Sequence, residues 1–125
     1  MSLGRIWRRA RTNVAATDNA EPYPDLAPLD LELPPNAAFA AALSAARAMP
    51  LWRVVGEHTG EGRIAAEATT ARLRFVDDIE IRVEAREGGS RVRVRSASRV
   101  GTTDFGTNAR RIRAYLARLA TAPGV

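Results

Sequence analysis

The chain has 125 residues, 46% of them hydrophobic and 26% charged, which suits one packed core and argues against disorder throughout. With no cysteine and one histidine, His58, it has no route to disulfides, thiolate nucleophiles, Cys-based metal sites or a two-histidine mechanism within one chain. The net charge is +5 and the pI about 11.1, yet every basic residue is arginine. Beside so many alanines this reads as GC-rich coding bias, and arginine raises the pI without adding charge at neutral pH.

Residues 1–35 read as an extended leader. Arg5, Arg8, Arg9 and Arg11 surround Ile6 and Trp7, a pattern that touches an anionic membrane surface only weakly. No apolar region of a secretory signal follows them, and no run approaches the roughly 18–20 apolar residues of a membrane helix. A cytoplasmic location is expected on those grounds. Pro22, Pro24, Pro28, Pro34 and Pro35 forbid a continuous helix in the second half, while Tyr23, Leu26, Leu29, Leu31 and Leu33 offer apolar anchors along the domain.

A single domain is expected over 36–121, with 122–125 as a tail. Asn36, after two prolines, is the expected N-cap of a first helix running to Met49 and stopped by Pro50. Its stripe is Phe39, Leu43, Ala46 and Met49. Strands follow at 51–57 and 63–70, around a turn holding His58. Residues 73–76 read as a short strand or a link. Residues 78–86 alternate cleanly, with Ile79, Ile81, Val83 and Ala85 inward and Glu80, Arg82 and Glu84 outward. Gly88 and Gly89 supply a hairpin turn. Residues 91–98 return with Val92, Val94, Ser96 and Ser98 on one face and Arg91, Arg93 and Arg95 on the other. Asp104 is the expected N-cap of a last helix, 104–120, with the stripe Phe105, Ala109, Ile112, Leu116 and Leu119. Short turns pair strands antiparallel. The expected fold is α+β: an antiparallel sheet of about four strands with two helices packed on one face.

Several groupings could carry chemistry. The Glu/Arg face of the hairpin is either solvated or a dock for an acidic partner. The turn into the last helix combines Ser96, Ser98, Arg99 and glycines with a helix N-terminus, a plausible anion site unless Asp104 already caps it. It lacks the spacing of a phosphate-binding P-loop. Asp77 and Asp78 are adjacent carboxylates, but strand neighbours point to opposite faces, so a joint site requires a turn or bulge.

Phe75-Val-Asp77-Asp78-Ile-Glu-Ile81-Arg82-Val83, then Val92-Arg-Val94-Arg95-Ser96-Ala-Ser98-Arg99-Val100-Gly101, then Asp104-Phe-Gly106-Thr-Asn108-Ala-Arg-Arg111-Ile112 resembles the bacterial and plastid domain-of-unknown-function family 1499. The resemblance covers about residues 22–119 and brings no activity. It singles out Asp77, Asp78, Arg82, Arg95, Ser96, Ser98, Arg99, Gly101, Asp104, Gly106, Asn108, Arg111 and Ile112. Arg93 stands where relatives tend to have Asp, and Thr102 where they tend to have Arg. Many relatives carry membrane or signal segments, which implies an envelope location by analogy.

The leading expectation is a binding or interaction module. Its expected ligand-binding residues are Asp77, Asp78, Arg95, Ser96, Ser98, Arg99, Asp104, Asn108 and Arg111, for an anionic small molecule or an acidic protein partner. No catalytic residue, cofactor or metal is assigned. The alternatives are a small hydrolase using an Asp with Ser96 or Ser98, and a peripheral membrane or nucleic-acid binder acting through its arginines.

Overall fold

A computed structural model describes residues 14–18, 23–100 and 106–125. The period-two alternation builds the centre of the sheet. Strand β5 (Val76–Arg86) buries Asp77, Ile79, Ile81 and Val83, and β6 (Gly89–Ser98) buries Ser90, Val92, Val94 and Ser96. A two-residue loop, Glu87 and Gly88, joins them. Gly88 takes a φ of 82°, which a side chain would resist. That loop sets the whole ladder, from Arg86 opposite Gly89 to Asp77 opposite Ser98. Ala85, expected inside, is exposed beside this turn.

Strands β3 (Trp52–His58) and β4 (Arg63–Thr69) extend the sheet beyond β5, with a register shift between Val54 and Gly56. His58 closes β3 instead of lying in the turn. The turn itself is a 3-10 segment, Thr59–Glu61. Gly62 follows at φ 66°, and a Cβ there would run into the Val83 carbonyl oxygen. The link before β5 is a tight turn rather than a strand: Thr70 Oγ1 accepts from the Phe75 amide at 2.9 Å.

Among the described residues the sheet holds six antiparallel strands, two more than the alternation predicts. Both come from the leader. Strand β1 (Val14–Ala16) pairs with β6 at residues 95–97, and β2 (Leu29–Leu31) pairs with it at 90–92. Together they cover the outer edge of β6, whose backbone groups would otherwise face water. Tyr23, Leu26 and Leu31 of the same segment join the core.

Both helices lie on the apolar face. Helix α1 (Pro35–Ala48) starts one residue before the expected Asn36 cap, because the fixed φ of Pro35 suits a first helical turn. Its buried side is Ala38, Phe39, Ala42, Ala45 and Ala46. Helix α2 (Thr107–Ala120) begins after Gly106, at φ 87°, three residues later than expected. The proposed cap, Asp104, lies outside the described residues, as does Phe105. Helix α2 packs on β6 and β1, α1 packs on β3 and β5, and the helices touch each other.

Candidate functional site

The β pleat divides the residues expected to form one cluster. Asp77 and Asp78 are consecutive at the start of β5, so their side chains leave on opposite faces. Asp77 turns toward α2 and is buried, whereas Asp78 is exposed. Two separate networks result.

The inner network centres on Asn108, buried in the first turn of α2. Its Oδ1 accepts from Ser96 Oγ at 2.6 Å and from Arg111 Nη1 at 2.8 Å, and its Nδ2 donates to Ser98 Oγ at 2.9 Å. Arg111, three residues on and so on the same helix face, also donates to Ser96 Oγ at 3.2 Å. Its Nη1 stands 2.8 Å from Asp77 Oδ2, with the two side chains only 10% and 3% exposed. Charges buried this deeply persist only when paired and hydrogen-bonded. The hydrogen bonds of Arg111 to the described residues both leave from Nη1. Its Nε and Nη2 meet no hydrogen-bond acceptor among the described residues.

The outer network lies on the solvent face. Arg99 grips Asp78 with two hydrogen bonds, at 2.9 and 2.6 Å, and reaches Glu67 at 2.6 Å. Arg53 holds the other oxygen of Glu67 at 2.8 Å. The hydrogen bond from Arg99 keeps the Asp78 carboxyl below its usual range, with Arg95 adding a smaller pull. Those from Arg53 and then Arg99 do the same for Glu67. A carboxylate depressed in the folded state adds stability above its unfolded pKa and loses it as pH falls through the folded one. The Arg99→Ala variant should therefore melt below wild type at neutral pH, and the gap should close as pH drops below about 4. Thermal melts across that range check this; a gap that stays constant would mean these exposed pairs add nothing.

The other outward arginines are largely matched in the same way. Arg91 and Arg86 hold Asp30, Arg93 holds Asp18 and Glu84, and Arg82 meets Glu80. The Asp30 carboxyl is pulled far below its usual range, by Arg91 first and then Arg86.

Three members of the inner network, Asp77, Ser98 and Arg111, line a cleft of about 990 Å³. Asp77, Ser98, Thr107 and Arg111 are its polar floor. Its walls are the α1–β3 link, with Met49 and Leu51, the first residue of β3, Trp52, and the β4–β5 loop, with Arg72, Leu73 and Phe75; Val100 follows β6 at the rim. Leu51 and Arg74 are the two non-glycine residues with positive φ among the described residues, at 65° and 60°. Each such backbone costs of order 1–3 kcal/mol and persists where its surroundings impose it. Both stand in the two loops that wall this cleft.

Of the nine expected site residues, Asp77, Ser96, Ser98, Asn108 and Arg111 meet beneath the cleft. Asp78, Arg95 and Arg99 lie on the opposite sheet face, and Asp104 lies outside the described residues. Sequence reasoning missed Arg72 and the apolar walls. The one signal for them was a pair of large apolar residues, Leu73 and Phe75, next to two arginines in a segment with no clear period. His58 is exposed at the other end of β3 and lines no part of the cleft.

A family model described as "Protein of unknown function (DUF1499)" matches residues 9–119, reaching further toward the N-terminus than the motifs alone. No curated protein matches the chain.

Proposed function

The chain belongs to this family of unknown function, and we propose that it is a binding module which takes an anionic small molecule in the cleft above Asp77 and Arg111. One observation carries this reading: the Arg111 guanidinium makes its hydrogen bonds to the described residues through Nη1, while Nε and Nη2 donate none to them. A guanidinium fixed on one side and open on the other is a prepared receptor for a carboxylate or phosphate oxygen. Arg72, on the cleft wall, makes no hydrogen bond or ion pair with the described residues. Among the described residues, two arginines against Asp77 leave the lining with one net positive charge. A concave apolar site with a few convergent polar groups is the usual form of a small-molecule pocket.

The hydrolase alternative has less support. Ser96 Oγ directs its proton at the amide oxygen of Asn108, which is no general base, and Asp77 is engaged by Arg111. A nucleic-acid or membrane surface also has less support, since most outward arginines already face carboxylates.

Thermal shift and calorimetry with a panel of carboxylates and phosphates test the reading on wild type and on Arg72→Ala. A bound anion should raise the melting temperature progressively, with the logarithm of its concentration once that exceeds Kd. Arg72→Ala should weaken it about tenfold, the loss of one charge-assisted contact, with the melting temperature of the free protein unchanged. If no anion of either class binds, the reading falls.

A further inference from the structure

We infer that the occupant of the cleft is a monoanionic amphiphile: one carboxylate on an extended apolar body, with the carboxylate on Arg111 and the body along Leu73, Phe75 and Val100. The inference rests on the anion-binding reading and adds to it the ligand's charge and shape.

Charge decides for a monoanion. Among the described residues the lining holds Arg72 and Arg111 against Asp77, so one negative charge neutralises these groups. A dianionic phosphate monoester would leave a net negative charge in a pocket where Asp77 already stands 2.8 Å from the receiving arginine, a like-charge arrangement that desolvation makes worse.

The walls decide for an apolar body. Among the described residues, Leu51, Val55, Leu73, Phe75, Val100 and Val125 are the large hydrophobic side chains left exposed, and four of these line this one cleft. Single exposed apolar residues are ordinary, but a contiguous group marks a contact surface. At about 990 Å³ the space sits at the upper end for small-molecule pockets, so an anion as small as acetate would leave those walls wet. Length is also compatible with the form of the site, because the cleft is open and a chain longer than the walls can emerge into solvent.

The low exposure of Arg111 argues against a bilayer surface as the source. Arg111 is 10% exposed at the floor, where a headgroup still anchored in a membrane by its chains does not reach.

Calorimetry on the full chain with acetate, hexanoate, octanoate and decanoate, each kept below its aggregation limit, tests this. The matched alkyl phosphates and primary alcohols and the variant Phe75→Ser, at the exposed rim, complete the set. Each added methylene should tighten carboxylate binding about two- to fourfold, as burial of apolar surface requires. Octyl phosphate and octanol should each bind at least about tenfold more weakly than octanoate. Phe75→Ser should flatten the dependence on chain length while acetate binding and the melting temperature hold.

Short and long carboxylates binding equally well would overturn the amphiphile and leave the anion reading standing. Octyl phosphate binding as tightly as octanoate would overturn the monoanion. Octanol binding as tightly as octanoate, or no anion binding at all, would sink both readings. Association only with vesicles of equimolar phosphatidylcholine and phosphatidylserine, and with no dispersed amphiphile, would replace the inference with a membrane surface.

Discussion

Replacing Arg111 alone should destabilise the protein more than replacing Arg111 and Asp77 together. Arg111→Met leaves the Asp77 carboxylate, 3% exposed, without its counter-ion, and breaking a buried pair from one side costs about 3–5 kcal/mol. Asp77→Leu leaves the guanidinium behind instead. That loss should be smaller, about 1–3 kcal/mol, because Arg111 keeps Ser96 and Asn108 as acceptors and its free nitrogens can turn toward the cleft. The double variant removes both charges and fills their volume with apolar groups, a change that is often close to neutral. Ser96 and Asn108 still satisfy each other at 2.6 Å. Urea denaturation of the four proteins gives the cycle, and a coupling of about 2 kcal/mol or more is expected. An Arg111→Met protein within about 1 kcal/mol of wild type would show that the ion pair does not fasten α2 to the sheet. The double variant also separates scaffold from receptor: it should fold well and bind anions poorly.

The parts of this molecule that were legible beforehand are those fixed by local rules. Ile79, Ile81 and Val83, with Val92 and Val94 across the Gly88-Gly89 turn, specify a hairpin whose far end brings the aspartates near Ser98 and Arg99, and the structure pairs Asp77 with Ser98. The same alternation should have divided Asp77 from Asp78, yet the resemblance drew both into one expected cluster; the pleat wins because no bulge intervenes in β5. Strands β1 and β2 were not legible. Three residues carry no period, and their pairing is dictated by the open edge of β6, not by their own sequence. The cleft was illegible for a related reason. Leu73 and Phe75 have the composition of a strand, but Thr70 closes the segment into a turn and holds them at the surface.

The other large effect should come from Tyr115, which helical spacing passed over in favour of its neighbour Leu116. Tyr115 is fully buried and Leu116 only partly so. A stripe of Ala109, Ile112 and Leu119 leaves both positions on its flank, and only packing chooses between them. Tyr115 joins three elements. Its ring stacks on Trp52 of β3 with centroids 5.3 Å apart, and its hydroxyl donates to the Ala42 carbonyl of α1 at 2.7 Å. Tyr115→Ala should therefore cost about 3–5 kcal/mol, the range for emptying a buried aromatic site. Tyr115→Phe keeps the stack and loses one hydrogen bond, about 1 kcal/mol. Burial pushes the Tyr115 hydroxyl above its ordinary range, so the folded state keeps this proton longer than the unfolded chain does. The stability it adds is complete at neutral pH and lost as pH rises past about 10. The difference between wild type and Tyr115→Phe should shrink accordingly in alkaline urea titrations. Trp52 also walls the cleft, so Tyr115→Ala should weaken anion binding while Tyr115→Phe preserves it. A Tyr115→Ala protein as stable as the Phe variant would mean that close alanine contacts, not this ring, hold α1 and α2 over the sheet.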